Sequence, residues 1–316
     1  MGWRSVVRSI ERAAKQAKRE DVRRKKQAHK NQMFALSAEA VSDLEDYFTK
    51  LVSFHKTCAL TVNWADHQLP QAPKLSSEYE QKVFKAAKEI ENFRPGAFDF
   101  FFGGTQRRLN RLNNAHIHAL SEYERAQQTF NQEHEDWSKL ASFIGDVFNG
   151  KVAALKQKLF DAQEIFKNAS IGTQIQFEIK DSFVHAVPTL HGLEHLPKIR
   201  RKQLASGRLS ETRMPESQFN ELYQDYVCSA AFRIALDVFN TVPIASVLIT
   251  CEIPLLNKQT GYVENTPILS VHVFRTTLER MNMDRIDPSD ALSNFNHVMK
   301  FKKSRGFERI EPLQIL

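Results

Sequence analysis

Cysteine is scarce: three residues in 316, Cys58, Cys228 and Cys251, lie far apart with no C-x-x-C. That argues against a disulfide framework or a zinc ribbon and predicts reduced thiols in a cytoplasm. No run of about 18 apolar residues occurs, so no helix is expected to span a bilayer. The opening MGWRSVVRSIERAAKQAKRE has neither an apolar core segment nor a small-residue cleavage site, so no secretory signal is expected. Also missing are G-x-x-x-x-G-K-[ST], G-x-G-x-x-G, H-E-x-x-H and G-x-S-x-G. Their absence argues against a P-loop NTPase, a dinucleotide-dependent dehydrogenase, a zincin and an α/β-hydrolase.

What is present is an uneven charge. Residues 1–30 hold eleven Lys/Arg against three Asp/Glu, a balance of +8. The remainder, 33 basic against 34 acidic, stands at −1, so a near-neutral body carries a basic arm. Trp3, Val6, Val7, Ile10, Ala14 and Ala17 recur at helical spacing, with most of the arginines and lysines off that stripe. With no Gly or Pro before Val41, Leu44, Phe48 and Leu51, the spacing predicts one helix from about residue 3 to about residue 57. A proline-bearing loop follows, then a helix capped by Ser76 or Ser77 and ending at Arg94-Pro95-Gly96.

The strongest periodicity lies between Thr105 and Phe148. Leu109, Leu112, His116, Ala119, Tyr123, Ala126, Phe130, Glu133, Trp137, Leu140, Ile144 and Val147 alternate three and four apart, and ten of the twelve are apolar. Such a seam predicts a coiled coil, and large aromatics facing small alanines favour an intramolecular antiparallel bundle. Phe98, Phe100, Phe101 and Phe102, beside Gly103-Gly104, then fall at the end of the helical hairpin. They are expected to cap its core or, failing that, to contact an oligomer or partner; insertion into a membrane is disfavoured.

Near residue 170 the period becomes two. Ile175, Phe177 and Ile179 alternate with Gln176, Glu178 and Lys180, which predicts a half-buried strand, with FVHAVPTL as its partner. A hairpin through LEHLPK, a basic loop KIRRKQLASGR, a short extended segment RLSETRM, a helix opened by Pro215, two strands (ASVLITCEI, PILSVHVF) and a last helix from Asp287 to near Lys300 follow. The expected fold class is α+β. An elongated N-terminal helical coiled coil or bundle precedes a domain of mainly antiparallel sheet with one long packed helix. The expected divisions are a basic arm (1–33), a helical domain (34–168, with its Phe-rich end at 95–104) and an α+β domain (169–316).

Two tripeptides invite comparison with the metal-dependent nuclease pattern, in which carboxylates hold Mg²⁺ beside a cation. Glu178-Ile179-Lys180 sits on the first strand, where no earlier strand supplies a partner Asp. Glu211-Thr212-Arg213 precedes the long helix, with Glu194 as a second ligand, but Arg stands where Lys is wanted. A solvated strand face explains both. His185, His191, Glu194 and His195 form a local set of metal-ligating types, more often simple surface groups.

The arm is the leading functional feature. Arg4, Arg8, Arg12, Lys15, Lys18, Arg19, Arg23, Arg24, Lys25, Lys26 and Lys30 are candidates for contact with a nucleic-acid phosphate backbone. The basic run Lys198–Lys202 adds support. The expectation is a non-enzymatic scaffold or adaptor that binds nucleic acid through the arm, assembles as a homo- or hetero-oligomer and needs no cofactor. A divergent nuclease using Glu194, Glu211, Arg213 and Mg²⁺ is the first alternative. The second is a protein-binding effector subunit whose arm lies on a membrane surface.

Overall fold

A computed structural model describes residues 3–66, 68–96, 103–166, 171–180, 183–257 and 260–315, without the side chains of residues 3–14 and of Thr173. The phenylalanine cluster at 98–102 and the side chains of Arg4, Arg8 and Arg12 thus lie outside the described residues. The chain divides into two compact units, one of residues 1–62 and 155–316, the other of 63–154.

The larger unit opens with α1 (Trp3–Val52). The expected continuation to residue 57 is not α-helical: Ser53 interrupts it and Phe54–Thr57 form a 3₁₀ turn. That turn is placed by packing, because His55, fully buried, presents both its backbone N–H and its Nδ1 to Ser229 Oγ (3.2 and 2.8 Å). After α4 (Val152–Asp161), which crosses the boundary between units, and α5 (Gln163–Phe166) come the strands. β1 (Gly172–Lys180) and β2 (Phe183–Leu190) form the expected antiparallel hairpin. β3 (Ile199–Gln203) and β4 (Leu209–Arg213) form a separate two-stranded ribbon. LEHLPK, expected in a hairpin, supplies only the 3₁₀ turn Leu193–His195.

α6 (Glu216–Thr241) is the centre of the unit. β5 (Ser246–Leu256) returns parallel to β2, and β6 (Val263–Phe274) follows antiparallel. Two short helices, α7 (Arg275–Leu278) and α8 (Pro288–Ala291), precede β7 (Asn296–Lys302) and β8 (Gly306–Glu308). The main sheet runs β1-β2-β5-β6-β7-β8, mixed but mainly antiparallel. The architecture is α+β.

The final helix expected to reach Lys300 is a correction. The cap itself is real: Asp287 Oδ1 accepts from the N–H groups of Ser289 (2.9 Å) and Asp290 (3.1 Å). The helix stops at Ala291 because Asn296–Met299 pair with Leu269–His272, supplying the partner that the far edge of β6 would otherwise lack.

α6 carries Phe219, Tyr223, Tyr226, Val227, Phe232, Ile234, Leu236 and Phe239 at 1% exposure or less. Burying each large apolar side chain contributes roughly 1.5–3 kcal/mol, which makes this helix the largest single source of core stability. Its buried polar side chains are paired. Tyr226 donates to the Ile171 carbonyl and accepts from the His191 N–H (3.1 Å), while Tyr223 donates to the His191 carbonyl (2.6 Å). The segment 55–61 runs along α6, held at Ser229, at Arg233 (to Thr57) and at Asn240, which binds the Ala59 carbonyl and the Thr61 N–H.

In the smaller unit, α2 (Ser77–Glu91) and α3 (Gly104–Phe148) are antiparallel. Glu80 meets Tyr123, Lys82 meets Glu122, and Phe93, just past α2, lies under Arg108. Beyond α2 the seam of α3 meets non-helical chain: Trp137 Nε1 donates to the Pro70 carbonyl (2.7 Å) and Phe148 packs edge-on against Trp64. Pro70 and Pro73 prevent a helix there. Ala119 and Val147 are buried, whereas Leu140 is 49% exposed. Among the described residues no helix is long and apolar enough to cross a membrane.

Tyr226→Phe removes the hydroxyl shared by Ile171 and His191 and leaves both backbone groups unpaired. The expected loss is about 1–3 kcal/mol of unfolding free energy in a denaturant titration, with the slope unchanged.

Candidate nucleic-acid interface

The arm is a regular helix, so spacing converts directly into direction. At 3.6 residues per turn, Lys15, Arg19, Arg23, Lys26 and Lys30, spaced four, four, three and four apart, fall within an arc of about 80°. The same rhythm runs back in sequence through Arg12, Arg8 and Arg4. Every residue from Lys15 to Met33 is exposed. The arm's described carboxylates lie off this stripe: Asp21 pairs with Lys25 (2.9 Å), and Glu20 accepts from Gln16 (3.2 Å). Lys18, Arg24 and Lys25 also fall outside it. None of the five stripe cations has an ion-pair partner among the described residues. Five unpaired cations in a row about 22 Å long make a continuous positive edge.

Further along α1 this face changes character. Ser37, Leu44 and Leu51 continue it and are buried. The β3–β4 ribbon, part of which is expected from sequence to be a basic loop, docks here. Gln203 Nε2 donates to the Phe34 carbonyl (2.6 Å) and to Ser37 Oγ (2.7 Å), and an Arg201 guanidinium N–H donates to the Ala40 carbonyl (3.4 Å). At the ribbon's turn, Gly207 (φ +81°) packs closely against the Phe34 ring, which Lys30 Nζ also approaches (5.7 Å to the centroid). No helical period signals this docking; the hint was the strand-like alternation in Ile199, Arg201 and Gln203.

The nuclease candidates occupy different elements. Glu211, on β4, binds Arg201 Nε (2.7 Å) directly across the ribbon. Arg213 pairs with Glu216 at the start of α6 (3.5 Å). Glu194, in the 3₁₀ turn, is 3.2 Å from His195 Nδ1. Among the described residues no group of three or more His, Cys, Asp or Glu is placed to hold a metal ion. Of the histidine set, the rings of His191 and His195 lie 5.2 Å apart, whereas His185 points elsewhere.

His185 belongs to a row that crosses the sheet. Glu178 stands 3.7 Å from its Nδ1, its Nε2 meets Thr250 Oγ1 (2.9 Å), Thr250 meets Ser270 (3.2 Å), and Ser270 Oγ accepts from the Leu313 N–H (3.1 Å). The order acid, imidazole, hydroxyl resembles a nucleophilic relay, but Thr250 and Ser270 are buried and out of reach of a substrate. Burial lowers the pKa of His185, so the ring is neutral near pH 7 and serves as a structural hydrogen-bond partner. The thiols are equally inert: burial pushes Cys58 up to about 11 and raises Cys228 and Cys251 further. A cavity of about 500 Å³ lies between α5 and the β1–β2 hairpin, lined mainly by Phe166, Ile171, Phe177 and Leu190, and among the described residues His191 is its one titratable lining side chain.

No family description, curated protein or solved structure matches this chain.

Gly207→Ala would place a methyl 2.5 Å from the Phe34 ring on a backbone that disfavours any Cβ. The expected result is undocking of the ribbon, read as amide exchange over residues 199–213 faster by about tenfold or more, with α6 unaffected. A second test concerns Asp225. Burial, then the neighbouring Asp287 carboxylate, pushes its pKa up to about 6. The folded chain therefore holds a proton that the unfolded chain releases between about pH 4 and 6, and stability falls as pH rises through that window. Asp225→Asn should stabilise by about 1–2 kcal/mol around pH 8 and by nothing near pH 4 in paired denaturant titrations.

Proposed function

We propose that the chain is a nucleic-acid-associated scaffold that grips the phosphate backbone through the basic arm, without reading base sequence. The observation that carries this is the stripe Lys15–Arg19–Arg23–Lys26–Lys30, exposed and free of carboxylate partners. Between Lys15 and Met33 the other sides carry only Val22 and Met33 as large apolar residues, too few for an interfacial face, which favours nucleic acid over a membrane surface along this stretch. The half-exposed seam of α3, including Leu140, supports assembly as the second part of this reading, by coiled-coil pairing with another chain. Three free thiols suit a reducing compartment, and we assign the protein to the cytoplasm. Cleavage through Glu194, Glu211 and Arg213 draws no support from their contacts, as each is engaged with a different neighbour.

The test is a salt titration of binding to random-sequence DNA and RNA. Changing the five stripe cations to Gln should lower the slope of log K against log salt by about 4 and leave EDTA without effect. An unchanged slope would refute the arm reading. Mg²⁺-dependent cleavage lost in Glu211→Ala would replace it with the nuclease.

A further inference from the structure

The cationic stripe of α1 ends at Lys30 because, one turn later, the same face becomes the docking face. The ribbon that covers it runs along the helix in the opposite direction: Arg201 lies at Ala40, Gln203 at Ser37 and Phe34, and the turn Leu204–Arg208 at Phe34. Its turn therefore points toward Lys30. Strand alternation sends Ile199, Arg201 and Gln203 toward α1 and Arg200 and Lys202 away from it. Opposite those two, in register, stand Thr212 and Ser210. This outer face offers two cations and two hydroxyls, with Arg208 added at the turn. The ribbon's one carboxylate, Glu211, is held by Arg201 on the other side. Arg200, Lys202 and Arg208 are exposed and have no ion-pair partner among the described residues.

We propose that the outer face of the β3–β4 ribbon is a second phosphate-binding element, which carries the cation row of α1 onward across the docked region so that the two bind one double-stranded nucleic acid. The inference rests on the arm reading and deepens it. From Lys15 to Ala40 the row extends about 38 Å at 1.5 Å per residue, roughly one turn of a duplex. A continuous row of that length suits a rigid polyanion with phosphates every 1.7 Å or so of axis. A single strand would call for aromatic platforms. Between Lys15 and Ala40 and on the ribbon, the exposed large apolar residues are Val22, Met33, Leu36, Leu204 and Leu209, none of them aromatic.

The experiment uses the full chain, a random-sequence DNA duplex of about 24 base pairs, and one of its strands alone, each titrated with salt by fluorescence anisotropy. The hairpin variant Arg200→Gln/Lys202→Gln/Arg208→Gln changes only exposed side chains, and circular dichroism checks its fold. It should lower the duplex slope by about 3, while Arg200→Lys/Arg208→Lys keeps the wild-type slope. A wild-type slope in the Gln variant, with the arm variant still impaired, would overturn the ribbon's role and leave the arm reading standing. Single strand bound as tightly as duplex would overturn the assignment of the ligand. Unimpaired binding in both variants would remove the arm reading, and the ribbon's role with it.

Discussion

Helix α6 is apolar on nearly every side and cannot stand alone in water, so the arrangement of the larger unit follows from the need to cover it. The sheet takes one side through Val184, Ala186, Val247, Ile249, Val271 and Val273, all fully buried. The remaining sides fall to α1, the segment after it, α8 and β8. Few polar groups enter this core, and most are tethers. Ser229 holds His55, Tyr226 and Tyr223 hold the chain around Ile171 and His191, and Asn220 donates to the Lys303 carbonyl (2.7 Å). Each tether joins stretches distant in sequence, and each would leave a buried group unpaired if broken. His55 Nε2 is an exception, a buried nitrogen without a hydrogen-bond partner. Burial lowers the pKa of that ring and keeps it neutral.

The same demand explains the arm. Among the described residues α1 is anchored along its C-terminal part, where Ser37, Leu44 and Leu51 are buried on its inward face and the ribbon holds Phe34 and Ala40. Toward the N-terminus that face leaves the body, and its residues change from small and apolar to basic. One continuous helix is thus an anchor at one end and a charged edge at the other. The ribbon at the changeover is fastened mostly through backbone carbonyls and Ser37, which leaves its own charges facing water.

Local patterns were legible where one interaction dominates. The alternation in β1 and β2, the Asp287 cap, the opening of α6 after Pro215 and the helices on either side of the Phe-rich segment could all be read from spacing. The residues after Asn294 could not, because a cap reports only how a helix begins; the open edge of β6 decided how this one ends. LEHLPK looked like a strand by the same kind of local argument and is a turn, with β3 drawn off to pair with β4 on α1. In α3 the heptad rhythm was evident, yet what faces it is half helix and half proline-bearing chain, which periodicity in one element does not disclose.

By itself the sequence determined the fold class, the basic character of the first thirty residues and the helical period that gathers five of their cations on one side, since composition and spacing are local properties. Only the tertiary structure decided that this side is the docking face, that Glu211 is held by Arg201, and that the run at 198–202 lies along the arm's own helix. Those facts depend on which surfaces α6 needed covered, and that is settled by burial between residues more than 150 positions apart.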